Sequence, residues 1–276
     1  MHPSLQDRVV LVTGGGRGLG RAMALALAEA GARVAVTGAR EGGELRETVA
    51  EAERIGGAGR ALAIRADVTS EADCVRAVRE TRDAFDALHV LVNNAGRGMR
   101  LVSETFTTEP TRFWETPPDI WRQILDINVN GVFLMTQAAM PIFLEQGFGK
   151  IVNISTSDQT MVRRGYAPYG PSKAALEAMT RVWAADLKGT GVTANVLLPG
   201  GASNTDLLPG GANRRGADGN LLPPAIMGPP ILWLASNLSN DHTGERYIAR
   251  LWNEALPPDE AAAGARSASV EKPAIM

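Results

Sequence analysis

Short apolar runs punctuate the chain at 8–12, 33–37, 60–64, 88–92, 150–154 and 192–197, with a weaker one at 247–251. Near-continuous apolarity over so few positions marks a strand buried on both faces, as in a parallel sheet. Between the runs, apolar residues recur at helical spacing over 19–30, 43–55, 70–84, 119–145 and 172–189. Strand-length and helix-length segments therefore alternate, which predicts βαβ units and an α/β fold: a single doubly wound parallel sheet of about seven strands, with helices on both faces. No segment repeats at a period of 20–50 residues, which excludes solenoids and propellers.

Two stretches break the rhythm. Residues 97–118 hold Phe106, Phe113 and Trp114, and residues 200–230 are rich in Gly, Pro and Asn. Both follow strands whose C-terminal ends face a ligand crevice in such a fold, and loops of this length are usually functional, so both are expected to cover a substrate. After Trp252 the apolar period is lost. The domain is expected to span 1–252, with 253–276 as a C-terminal tail, either solvated or laid over a neighbouring subunit.

Composition narrows the class. Of 276 residues, 45% are hydrophobic and 21% charged, ordinary for one globular domain with a large core. Lys+Arg total 28 against 30 Asp+Glu, a net charge of -2 that offers no surplus for nucleic acid or an anionic membrane, so the expected partners are small molecules and other protein chains. Cys74 stands alone and can form no internal disulfide, which fits a reducing compartment. His2, His89 and His242 are scattered, without metal-ligand spacing, and no metal is expected. The first residues lack a signal-peptide pattern and no unbroken apolar run approaches membrane-spanning length, so a cytoplasmic location is expected.

The candidate chemistry begins at Thr13-Gly14-Gly15-Gly16-Arg17-Gly18-Leu19-Gly20, which follows the first strand immediately and opens the first helix. Glycines there permit a tight turn and close approach to a pyrophosphate, and the helix N-terminus offers free N–H groups. Four further segments follow in order: Asp67-Val68 after the third strand, Asn93-Asn94-Ala95-Gly96 after the fourth, Asn128 in the next helix, and Tyr169 with Lys173 at the start of the helix after the fifth. Residues four apart share a helix face. The Lys173 ammonium can therefore lie beside the Tyr169 phenol and favour its ionised form, bringing a group that titrates near pH 10 towards a useful range.

With these five ordered motifs the sequence resembles the short-chain dehydrogenase/reductase family over residues 5–252. The resemblance implies a Rossmann-type fold, a nicotinamide dinucleotide, and hydride transfer between that cofactor and an alcohol or ketone. Tyr169 would be the general acid/base, Lys173 would also hold the nicotinamide ribose, and Asn128 would perturb its helix and hold a water linked to Lys173. The family's active-site serine lies thirteen residues before the tyrosine, where this chain has Thr156; Thr156 is favoured as the hydroxyl partner and Ser157 is the alternative, with Ser155 expected to face the other side of the strand. Gly14, Gly18, Leu19 and Gly20 would cradle the cofactor, Asp67 and Val68 the adenine, and Asn94, Ala95 and Gly96 the adenosine ribose. Pro199, Gly200 and Ala202 would line the nicotinamide end, with Thr205 or Asn204 at its amide.

Cofactor choice turns on the second strand's end. An acidic residue there would accept from the ribose 2′-OH of NAD; the chain instead has Gly38, Ala39 and Arg40, with Arg17 in the glycine loop. Guanidiniums without a carboxylate suit a 2′-phosphate, so NADP is expected and NAD is the alternative, although Arg17 alone decides little. The pocket candidates are 97–100, Phe113, Trp114, 161–164, Tyr166 and 207–209; Arg163 and Arg164 would suit an anionic substrate such as a sugar acid or cyclic hydroxy acid. A catalytically silent sensor is the reading from another class, supported only by the threonine at 156. A homodimer or homotetramer is expected from the resemblance, with apolar residues of the Tyr169 helix at the contact.

Overall fold

The structure, a computed structural model, describes residues 3–40, 42–211, 214–216 and 219–267. Part of the expected covering loop, 212–213 and 217–218, and part of the expected tail, 268–276, lie outside the described residues.

Seven strands form one parallel sheet: β1 (Val9–Val12), β2 (Arg33–Gly38), β3 (Ala61–Arg65), β4 (Val90–Asn93), β5 (Gly149–Ile154), β6 (Val192–Leu198) and β7 (Arg246–Ile248). Their order is β3-β2-β1-β4-β5-β6-β7, so the chain winds outward from β1 one way and then from β4 the other. The connections are α1 (Gly18–Glu29), α2 (Gly43–Gly56), α3 (Glu71–Phe85), α4 (Pro118–Leu125), α5 (Gly131–Glu145), α6 (Asp158–Met161), α7 (Tyr169–Asp186) and α8 (Gly228–Ala235). Side chains alternate across the sheet, as the period of two requires. Val10 and Val12 join a core with Leu27, Trp233 and Tyr247, while Val9 and Leu11 face the opposite core with Met135, Phe143 and Ala194.

The expected helix over 119–145 is interrupted by a π-helical turn, Asp126–Asn130, with Asn128 fully buried at its centre; one-turn π insertions are common at functional sites. An 18-residue window within Pro118–Glu145 reaches a mean hydropathy of 1.4, enough in length and composition for a membrane span. Met135, Ala139 and Phe143 of that stretch are nevertheless packed into the second core, as in a core helix.

The domain boundary at 252 and the solvated tail need correction. Pro258–Ala265 forms α9, whose Ala261, Ala262 and Ala265 are buried, and the Trp233 indole N–H donates to Asp259 at 2.7 Å. Beyond it, Arg266 makes an antiparallel bridge to Tyr247 and the Ser267 amide donates to the Arg246 carbonyl. The described chain therefore continues to pack against the domain through Ser267.

Below the site, a buried polar ladder fixes β4 and β5 to the helices behind them. The Asn93 amide donates to Thr136 and to Asn153, and Asn153 in turn donates to Thr180 on α7, all at 2.8–3.0 Å. Satisfied buried networks of this kind favour one arrangement over its neighbours, here the register of α7 against β5.

Candidate active site

The C-terminal ends of β1 to β6 open into one groove of about 1360 Å³, lined by the glycine loop, Asp67, Asn94, Tyr169 and Lys173. At its β1 end the turn is drawn tight by Thr13 and Asn94. The Thr13 hydroxyl accepts from the amides of Asn94 and Ala95, and the Asn94 side chain donates to the carbonyls of Thr13 and Gly14. Gly14 sits at φ +63°, a left-handed conformation glycine adopts freely. A Cβ on Gly20 would stand 2.3 Å from the Gly14 carbonyl, so α1 can start this close to the turn only without a side chain there. The helix begins at Gly18 with no side-chain cap, leaving its first amides directed at the groove.

Around this cradle stand Arg17, Leu19, Arg40, Asp67, Val68, Ala95 and Gly96, all lining the groove. Asp67 accepts two bonds from Thr69 through one oxygen. The claim that no carboxylate accompanies the arginines needs correction: the first turn of α2 brings Glu44 to 3.6 Å from Arg17, and the loop after β6 brings Asp206 to the same distance. Arg40 is exposed at the tip of β2.

Tyr169 opens α7, and one turn later Lys173 projects from the same face into the groove. The Lys173 Nζ donates to the Ile154 carbonyl at 2.8 Å, which ties it to the end of β5. Burial pushes its pKa down to about 8, opposed by Glu177 one turn further along. Burial pushes the Tyr169 phenol up to about 12, and the Thr156 hydroxyl, bonding to its ionised form, opposes the rise. Ser157 is engaged elsewhere, capping α6 through Thr160. Ser155 is buried and faces Glu177. Asn128 uses its side chain fully: Oδ1 accepts from the Arg97 amide, and Nδ2 donates to the Arg97 carbonyl and the Ser172 hydroxyl.

Behind this cluster lies a residue the sequence reading missed. Arg246 on β7 donates through Nε to both oxygens of Glu177, through Nη1 to Ser267 and through Nη2 to the Thr156 carbonyl, and it is ion-paired with Asp158. One guanidinium thus links α7, the Thr156 segment and Ser267 just beyond α9. A basic residue within a short strand carried no signal of this, because its partners lie 69 and 90 residues away.

The two long loops reach the groove with only some of their residues. Pro199, Gly200, Ala202, Thr205 and Leu207 line the groove, as do Arg163 and Tyr166. Asn204 is bonded to Arg214, whereas Thr205 packs beside Gly18. The Arg163 guanidinium stacks over the Tyr166 ring, 5.2 Å from its centre, and Phe106, not among the pocket candidates, closes on the same ring edge-on at 5.6 Å. Phe113 and Trp114 do not line the groove and are about two-thirds exposed, at 66% and 67%. Met161 is buried and Arg164 is exposed, both outside the lining.

Comparison with known proteins matches this arrangement to a family. A family model described as short chain dehydrogenase matches residues 8–213. A 3-oxoacyl-[acyl-carrier-protein] reductase of Synechocystis sp. is 36% identical over 197 residues, 71% of this chain and 75% of the relative. A short-chain type dehydrogenase/reductase of Picea abies is 35% identical over 200 residues, 71% of each. Among solved structures, a 3-ketoacyl-(acyl-carrier-protein) reductase from Brucella melitensis complexed with NADH superposes with a TM-score of 0.76 at 30% identity, covering 88% of this chain and 96% of that one. A dehydrogenase/reductase from Sinorhizobium meliloti gives the same TM-score and identity over 88% of this chain and 93% of its own. The parallel sheet, the glycine loop closed by Asn94, and the Tyr169–Lys173 pair at the head of α7 are thus those of a chain that belongs to the short-chain dehydrogenase family of NAD(P)-binding oxidoreductases.

Proposed function

We propose that the chain is an NADP(H)-dependent oxidoreductase that interconverts a ketone and an alcohol, with Tyr169 as the general acid/base. The observation that carries the reading is the convergence of Tyr169, Lys173 and Thr156 at the end of β5, in the same groove as the glycine loop. The cradle fits a dinucleotide: uncapped amides of α1, a left-handed Gly14 and a close Gly20 leave room for a pyrophosphate backbone. When bound, the dinucleotide supplies or accepts the hydride.

The chain's own residues manage the proton. In reduction, the Tyr169 Oη donates its proton to the carbonyl oxygen while the Thr156 hydroxyl donates a hydrogen bond to that oxygen; in oxidation, Oη takes the alcohol proton. A charged Lys173 on the same helix face favours the phenolate; it is held by the Ile154 carbonyl, and burial lowers its pKa to about 8. Asn128 fixes the backbone of Arg97 and, through Ser172, the first turn of α7.

Thr156→Ala is expected to lower kcat about 10- to 100-fold, by loss of one hydrogen bond to a charged oxygen, and Thr156→Ser to restore most of it. Ser157→Ala should leave kcat near wild type and cost about 1 kcal/mol, as loss of a helix cap does. Steady-state kinetics and melting of the three variants check this; a kcat loss at Ser157 in place of Thr156 would reverse the assignment.

The cofactor preference and substrate class are tested by titrating the protein with NADPH and NADH, followed by turnover of a carbonyl panel that includes 3-oxoacyl thioesters, the class named in the Synechocystis and Brucella relatives. NADPH is expected to bind more tightly. The opposite preference would support the NAD reading, which Glu44 beside Arg17 favours. A homodimer or homotetramer belongs to the same proposal, on the exposed apolar Phe133, Leu144 and Val182.

A further inference from the structure

Arg97 follows Gly96 on the loop after β4 and lines the groove half-buried. Its backbone is pinned at both ends to Asn128, with 2.8 Å from its amide to Oδ1 and 2.9 Å from Nδ2 to its carbonyl. The loop therefore cannot carry the side chain out to solvent without breaking two bonds to a fully buried asparagine. Its side chain makes no hydrogen bond or ion pair among the described residues. Arg17, Arg40 and Asp67, from the ends of β1, β2 and β3, line the same groove and act on its charge. Burial and the two other guanidiniums both disfavour its charge, and Asp67 opposes them only in part.

A half-buried cation held next to two others is unfavourable in the free protein, and an anion placed among them relieves it. The direction the side chain takes decides which anion. Tyr169 and Lys173 lie beyond β4 on the β5 side, whereas Arg17, Arg40 and Asp67 lie on the β1–β3 side, where a dinucleotide's adenosine would rest. An anionic group on the reacting substrate would sit with the first set. An anion on the adenosine would sit with the second.

We propose that Arg97 completes a three-guanidinium receptor, with Arg17 and Arg40, for the phosphate monoester on the adenosine ribose of NADP. The inference rests on the NADP(H) reading and adds a residue from a loop that the sequence reading assigned to the substrate pocket. It also answers the partial engagement of Arg17 by Glu44 and Asp206: among the described residues Arg97 has no ion pair to give up before it meets a phosphate, Asp67 acting on it without pairing. Guanidinium is suited to the task because its planar fork matches phosphate oxygens.

The test is equilibrium titration of the full chain with NADPH, NADH and adenosine 2′,5′-bisphosphate, comparing wild type with Arg97→Met and Arg97→Lys. Arg97→Met should weaken NADPH and the bisphosphate about 10- to 100-fold, as loss of a charge-assisted hydrogen bond does, and leave NADH within about twofold. Arg97→Lys should recover part of the loss, and melting temperatures should stay together because the side chain has no structural partner. Equal weakening of NADPH and NADH, or none of either, overturns the inference. If wild type itself binds NADPH no more tightly than NADH, the NADP reading fails and the inference with it; if wild type prefers NADPH and Arg97→Met keeps that preference, the inference alone fails.

Discussion

Tyr169→Phe is expected to lower kcat by about 10²- to 10⁴-fold, the usual contribution of a positioned general acid/base, while the dissociation constant for NADPH stays within about threefold. The ring remains, so the packing at the head of α7 is kept; what is lost is the one oxygen facing the Thr156 hydroxyl. The pH dependence has a definite sign. Only the ionised phenol accepts a proton, so oxidation by wild type should accelerate as pH rises towards the tyrosine's pKa, and reduction, which needs the protonated phenol, should not. With burial holding the free group near 12, the acceleration should continue well above neutrality, to an extent set by how far Lys173 and the bound cofactor bring that value down. The variant should lose this slope. Retention of activity with an unchanged pH profile would remove Tyr169 from the chemistry.

The second large effect is expected from Arg246. Its guanidinium and Glu177 are mostly buried, with side-chain exposures of 17% and 19%. Burial pushes the Glu177 carboxyl up, and Arg246 opposes that shift. Arg246→Met leaves this carboxylate without its cation and should cost about 3–5 kcal/mol, the range for breaking a buried pair from one side. At about 2–4 °C per kcal/mol for a domain this large, melting should fall by roughly 6–20 °C. Removing both charges, as Arg246→Met with Glu177→Leu, should recover most of that stability, since an apolar pair of similar volume commonly replaces an ion pair at little cost. It should not restore kcat in full, because the Thr156 carbonyl and Asp158 still lack their donor. Melting and kinetics on the two variants test these outcomes separately; a single variant melting within a degree of wild type would show that the network contributes nothing.

The two predictions differ in how far the sequence foretold them. Tyr169 and Lys173 are four apart, so a rule about one helix turn brings them together, and the glycine loop likewise announces itself within eight residues. The strands were readable because burial on both faces leaves runs such as 9–12 and 90–92 wholly apolar. The interruption at Asp126–Asn130 left no mark in the apolar spacing, which continues through it; only the resemblance pointed to a helix perturbed at Asn128. α8 was hidden by Gly228, Pro229 and Pro230, which resemble a loop although proline is well suited to a helix's first turn. α9 was hidden by composition: its alanines are buried only because Trp233 and its neighbours stand across from them. Arg246 was illegible for the same reason, its meaning lying entirely in segments distant along the chain.

The bridge from Tyr247 to Arg266 has a consequence for handling the protein. β7 is the last strand of the sheet and only three residues long, and its outer side would otherwise present free backbone groups to solvent. Residues 266 and 267 occupy part of that border, with the Ser267 amide on the Arg246 carbonyl. An uncovered sheet border is a template on which other chains can stack, and proteins commonly shield it. Residues 266 and 267 serve as such a shield, so a shortened version cut before Pro258 would be the wrong choice for concentrated stocks or crystallisation, whatever it retained in an assay.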